Sequence, residues 1–492
     1  MLSSSRGQCR GTRAGFYLRA VVIVGTLLAP RAALASIITA QSAALDQPRI
    51  YALLRRTAGG VPLTADFGGQ QTFNIEAFLD TGASGLLLSN NTADFLGVQR
   101  SHFPEPSGPL VTYEDVGVNG SDVFNVSESL HMSLAPYHPD SDVDNPATYN
   151  TVYNQNFGPL RLQVGPAGGN PDPFLEDLDV LGMPAMAGKV VVMDPKPVDT
   201  FLDTIRTYIY NPGTPFNPAA ADTNPGIPSV NRHVKLSYAS FDRFTKVLPA
   251  GAPGPTLRNN PFIGPNPVAK LDPSPPPDDT PPVTITLNGV SANGSFLLDT
   301  GAAASIISVN EAANVHVRYK GGTQGTDNPQ LEVFNPAKPG DPGTPLPDQF
   351  QLTIGGIGGT SRIAGFFLDS MLVRTEEAAP GVDGDANNLL FAGAPVLVDD
   401  ITVKDPVTLQ TLTLDGIFGM NYLVASANII EAEPLPIIFD LTPGPANWLV
   451  FDEQAGELGL DVKGVPEPGT MWVLGAVASL VLLKRRGRRP GR

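Results

Sequence analysis

The chain has 492 residues, 42% of them hydrophobic, with a formal net charge of −16. That length supplies more than one core, and the negative balance excludes a phosphate-binding surface, so an exported soluble protein is expected and nucleic acid is not a partner. With 51 Gly and 49 Pro against 16% charged residues, the composition predicts an all-β, loop-rich protein with few long helices.

Residues 1–35 read as a signal peptide. Arg6, Arg10, Arg13 and Arg19 form a basic start, "AVVIVGTLLA" an apolar stretch, and Ala33-Leu34-Ala35 a small-residue cleavage site. The single cysteine, Cys9, lies inside it. The mature chain from Ser36 would then hold no thiol, which removes disulfides and cysteine chemistry.

Residues 36–247 are expected to form an N-terminal β lobe. Its stretch "VPLTADFGGQQTFNIEAFLDTG" reads as a strand, a Gly-containing turn and a second strand ending on Asp80, followed by Thr81-Gly82 and the apolar "GLLLS". Further on, "LVTYEDVGVNGSDVFNV" (110–126) reads as a hairpin with Asn119-Gly120 as its turn and Tyr113 on one arm. "LDVLGMPAM" (178–186) and the apolar strand "KVVVMDP" close this half. Pro and Gly then concentrate over 248–282, which predicts a linker or a long surface excursion.

The second half, 283–462, repeats the first. "PPVTITLNGVSANGSFLLDTG" leads to Asp299-Thr300-Gly301, and "SIIS" follows. "LDGIFGMNYL" (414–423) and "LPIIFDLTP" answer the earlier Gly-Met element and its strand, before the closing "WLVFDEQAGELGL" (448–460). Four ordered elements occurring twice predict a duplicated β-rich lobe.

No cofactor is expected. The histidines at 102, 131, 138, 233 and 316 lack zinc-site spacing, and "DSDVDN" (140–145) and "DGDANN" (383–388) lack the Glu that completes an EF-hand, so they read as solvated acidic turns. At the C-terminus, residues 463–492 carry "VPEPGT", the apolar run 471–483 and "KRRGRRPGR". An apolar run followed by a basic cluster is a stop-transfer pattern, and this one is short enough to suit transient membrane insertion.

The paired Asp-Thr-Gly motif has a chemical rationale. Hydrolysing a peptide bond without a metal or a nucleophilic side chain requires one group to deprotonate water while another protonates the carbonyl oxygen. Two carboxyls sharing one proton do both. Their apparent pKa values then belong to the pair, so the sequence does not say which aspartate is the base. Gly82 and Gly301 are expected to supply a permissive backbone in turns too tight for a Cβ.

These residues resemble the pepsin-like aspartic peptidases and, in the detail of the motif, their retroviral relatives. The resemblance implies a bilobal β fold with a cleft, an endopeptidase acting on peptide or protein substrates, and a monomer. Asp80 and Asp299 would be the catalytic pair, and Thr81 and Thr300 would brace each turn against the opposite backbone. Leu181-Gly182 and Phe418-Gly419 would pass under the turns as ψ-shaped strands, and Tyr113 is the possible flap tyrosine. Ala83 and Ala302 follow the glycines, where pepsin-like chains usually carry Ser or Thr and retroviral-type enzymes carry Ala. Losing those hydroxyl donors predicts raised apparent pKa values and activity at mildly acidic to near-neutral pH. The tail resembles the PEP-CTERM sorting signal, which implies handling by an exosortase and delivery to the bacterial cell surface or matrix. Two other readings stay open: a catalytically silent binding module, and a structural matrix protein.

Overall fold

Strands form where apolar residues alternate. Ile75–Leu79 and Val283–Leu287 bury every second side chain, as a sheet with one face on a core requires. The computed structural model describes residues 36–39, 43–44, 47–67, 70–72, 75–118, 120–137, 155–167, 178–195, 205–220, 224–245, 248–272, 274–424 and 446–462. The signal-peptide region, the acidic stretch 140–145, "LPIIFDLTP" and the C-terminal sorting region lie outside the described residues.

The fold is all-β, as the composition predicts. The described helices are short, the longest being the six-residue turns Asn90–Phe95 and Val309–Asn314. They occupy equivalent places just after the two Asp-Thr-Gly motifs. Ser89 and Ser308 cap them, each hydroxyl oxygen accepting an N–H three residues on, from Thr92 and Glu311, at 3.0 Å. No helix among the described residues is long and apolar enough to cross a membrane.

Two large sheets carry the duplication. In the nine-stranded sheet, Val180–Leu181 lies between Ile75–Leu79, to which it is parallel, and Leu86–Leu88, to which it is antiparallel. In the eleven-stranded sheet, Gly416–Phe418 lies in the same way between Phe296–Leu298 and Ile306–Ile307. Each Asp-Thr-Gly turn thus links two strands held apart by a third inserted between them. Under the second turn Phe391, Phe418 and Tyr422 pack ring to ring at centroid distances of 4.9 to 5.6 Å, and the Tyr422 hydroxyl donates to Pro395 O.

A third sheet joins the halves. Its five strands run Arg206–Tyr210, Val190–Asp194, Ala446–Asp452, Glu457–Val462, Arg232–Lys235. The closing hairpin therefore pairs with strands from the first half of the chain, not with its own lobe. Ser36–Thr39 crosses the other way and pairs with Leu389–Val398.

Part of the stretch 248–282, expected as a linker or a long surface excursion, belongs to the core. Asn260–Ile263 is a fully buried strand of the eleven-stranded sheet, between Ser237–Ala239 and Phe296–Leu298. Proline at 261 is tolerated because it lies near the start of the strand, where only the Ser237–Ala239 side is paired; the pairing with Phe296–Leu298 begins at Phe262. The second lobe's sheet thus begins by Ser237, ahead of the expected boundary at 247. The expected hairpin before Asp80 also splits: Ala65–Phe67 and Gln70–Thr72 pair only with each other, while Ile75–Leu79 pairs with Arg49–Arg55. Before Asp299 the hairpin Val283–Leu287/Val290–Gly294 forms as its Asn288-Gly289 turn requires, both residues having positive φ.

Candidate active site

Each aspartate follows a buried strand and begins a turn anchored from below. Asp80 N–H donates to Leu181 O at 3.0 Å, and Asp299 N–H to Phe418 O at 3.1 Å. Met183 and Met420 N–H reach Ala83 O and Ala302 O, both at 2.9 Å. Gly182 and Gly419 sit where a Cβ would collide with turn carbonyls, at 2.2 Å from Ala83 O and 2.9 Å from Ala302 O. The apolar-Gly pairs thus run directly against the turns.

Thr81 and Thr300 tie the two turns together by reciprocal bonds. Thr81 Oγ1 donates to Leu298 O at 2.6 Å and accepts the Thr300 N–H at 3.1 Å. Thr300 Oγ1 donates to Leu79 O at 2.7 Å and accepts the Thr81 N–H at 3.0 Å. Both side chains are buried, so all four bonds are shielded from competing water.

Asp80 and Asp299 are within hydrogen-bonding reach of each other. Gly82 N–H donates to Asp80 Oδ1 at 2.6 Å; Gly301 and Ala302 N–H donate to Asp299 Oδ1 at 2.9 and 2.8 Å. Burial first, and the neighbouring Asp80 charge second, push Asp299 well above the usual carboxylate range. Burial raises Asp80 too, opposed by hydrogen bonds from Asp299 and from the amides of Gly82, Gly301 and Ala83. Both carboxyls are therefore raised, and a charge on Asp80 disfavours ionisation of Asp299 beside it.

The glycines have a different reason from the one expected. Neither Gly82 nor Gly301 has positive φ. A Cβ on Gly82 would lie 2.4 Å from Asp299 Cγ, and one on Gly301 2.5 Å from Asp80 Cγ. Each glycine clears space for the opposite carboxyl.

The 110–126 segment is a hairpin, Thr112–Gly117 paired with Gly120–Val126. Tyr113 is buried in an apolar cluster with Val111, Val126, Phe103 and Leu257, apart from the bonds that join the two turns. It also lines a cavity of about 580 Å³ together with Arg243, Leu257 and Val407. Burial, then the Asp115 charge, raises its phenol. Asp115, two residues on, accepts from Gln163 Nε2 at 2.8 Å. The hairpin's tip touches a hairpin of the other lobe: a Cβ on Gly117 would lie 2.7 Å from Ile357 Cβ, in the turn between Phe350–Gly356 and Gly359–Val373. In the acidic turn 383–388, Asp383 pairs with Arg374 at 2.6 Å, and Asp385 accepts the N–H groups of Ala379 and Asn387. Among the described residues no cluster of His, Cys, Asp and Glu could hold a metal.

Sequence reasoning missed the contribution of 257–260. Arg258 N–H donates to Ser84 O at 2.9 Å, and Asn260 Nδ2 to Thr81 O and Gly82 O at 3.1 and 2.8 Å. Ala44 N–H makes the matching bond to Ala303 O at 2.7 Å. The only signal in the sequence was the apolar pair Phe262-Ile263 inside a Pro-rich context.

No protein-family profile and no curated protein matches the chain. Among solved structures, the fold is similar to the aspartic proteinase from Irpex lacteus, at 11% identity and a TM-score of 0.33, covering 88% of this chain and 98% of that one. It is also similar to a structure titled edgp, at 9% identity and a TM-score of 0.33, covering 85% of this chain and 96% of that one.

Proposed function

We propose that the protein is an aspartic endopeptidase in which Asp80 and Asp299 share one proton and activate water against a peptide carbonyl. The observation that carries this reading is the meeting of the two carboxyls at the tips of matched turns, each turn braced by the other lobe's threonine. Such bracing has a catalytic use: carboxyls already fixed need no reorganisation when charge develops in the transition state.

The ionised carboxylate takes a proton from water as the oxygen attacks the scissile carbonyl carbon. The protonated partner gives its proton to the carbonyl oxygen, forming a neutral gem-diol. On collapse one hydroxyl of the diol gives its proton to the carboxyl that is now ionised, and the other carboxyl passes the proton it took from water to the leaving nitrogen, so the pair ends with one proton, as it began.

Export and sorting belong to the same reading. A signal peptide over 1–35 and a PEP-CTERM-like tail over 463–492 would send the enzyme out of a bacterial cell and hand it to an exosortase, with 471–483 held briefly in the membrane. The test is cleavage of an unstructured protein by the wild type beside Asp80→Asn and Asp299→Asn. The expected result is cleavage by the wild type and a loss of at least about a thousandfold in either variant. Equal cleavage by all three, or by none, overturns the proposal; binding of peptide without cleavage would favour the silent binding module.

A further inference from the structure

The first turn is held from behind by an amide. Asn260 is 1% exposed, and its Nδ2 donates to two carbonyls of the opposite lobe's turn, Thr81 O and Gly82 O. These carbonyls are not arbitrary ones. Thr81 O belongs to the same peptide group as Gly82 N–H, and Gly82 O to the same peptide group as Ala83 N–H. Gly82 N–H is bonded to Asp80 Oδ1 at 2.6 Å, and the Ala83 amide also stabilises the Asp80 charge. The path runs Asn260 N–H to C=O, through the peptide, and out of N–H to the carboxylate, twice in parallel.

Hydrogen bonds arranged this way polarise one another. A donor on the carbonyl draws electron density from the peptide nitrogen and makes its N–H a stronger donor in turn. We propose that Asn260 is a positioning residue that strengthens the two peptide donors holding the Asp80 carboxyl and fixes their direction. Asn260 acts through the turn and does not itself touch substrate. The strand that carries it, Asn260–Ile263, is paired with Phe296–Leu298, which leads into Asp299, so one strand registers both halves of the dyad. This inference rests on the peptidase reading for its catalytic meaning, but its physical content is the titration of Asp80.

The experiment follows the dyad's titration by carboxyl-carbon NMR on aspartate-labelled protein, with signals assigned by Asp80→Asn, alongside the pH dependence of kcat/KM. Asn260→Leu keeps the branching and the number of heavy atoms and removes the donor. Its lower apparent pKa and the acid limb of its rate profile should both move up by about half a pH unit, from the weakening of two parallel charge-assisted bonds. Asn260→Ala, smaller and also without a donor, covers the case in which the leucine variant does not fold, and should move them in the same direction. Phe262→Leu, on the same strand, should lower the thermal midpoint and leave the titration where it was. An unshifted titration in a folded Asn260 variant overturns the inference and leaves the peptidase reading intact. A shifted titration in a protein that cleaves nothing upholds the inference and removes the peptidase reading.

Discussion

At the scale of single residues, the turns depend on hydrogen bonds that cannot be replaced by water. Thr81→Val would leave Leu298 O and the Thr300 N–H without their partner inside a buried site. Two stranded polar groups cost about 2 to 4 kcal/mol, so urea denaturation should show a loss of that size, and a loss below about 0.5 kcal/mol would mean that the brace is not structural. Glu311 gives a pH-dependent case outside the dyad. Burial, with repulsion from Asp415 second, pushes its carboxyl up to about 7, and Oε2 lacks a hydrogen-bond partner. The folded state therefore binds this proton more tightly than the unfolded chain, and the resulting stability is complete below pH 4.5 and drains away as pH rises to about 7. Glu311→Gln should raise the thermal midpoint above the wild type's at pH 8 and leave it unchanged near pH 4; an equal gain at both pH values would contradict the account. The aspartates, threonines and glycines of both turns could be singled out from the sequence because the same three-residue motif recurs after an apolar strand in each half. Asn260 could not, since its role depends on a contact between residues 178 and 179 positions apart, and the reason for Gly82 and Gly301 emerged only once each was seen against the opposite carboxyl.

At the scale of elements, the repeated Gly-Met segments were readable as equivalents, and they take matching places between the strands that flank each turn. The hairpin at 112–126 was readable from its alternation and turn residues; where its tip would land was not, because Gly117 and Ile357 are joined only by the arrangement of the lobes. Their contact bridges hairpins of the two lobes, and under the proposed peptidase reading a polypeptide that enters between the lobes must part it. Since Cys9 is the only cysteine, a disulfide between Gly117→Cys and Ile357→Cys can be read without interference. The 2.7 Å approach needs a small relaxation to reach disulfide geometry. Oxidation should slow cleavage of a protein substrate by about tenfold or more, with full recovery on reduction. Unchanged cleavage by protein shown by mass to be cross-linked would rule out the bridge as a barrier to entry.

At the scale of the whole molecule, two lobes were legible but their edges were not. A chain that duplicates a lobe can still exchange strands between copies, and here it does: Ser36–Thr39 joins the second lobe's sheet, and the closing hairpin joins strands of the first half. Strand exchange of this kind leaves no local signature, because a strand looks alike whichever sheet receives it. The consequence is mechanical: each lobe is anchored in the other, and the dyad sits between bodies that share a five-stranded base. The central claim is that two raised carboxyls, one from each lobe, share the proton that drives hydrolysis. The pH profile of kcat/KM for a peptide tests it most directly, measured for the wild type, Asp80→Asn and Asp299→Asn. The account predicts a bell centred at mildly acidic to near-neutral pH for the wild type and no measurable bell for either variant. A maximum below about pH 3, or a bell that survives the loss of either aspartate, would contradict it.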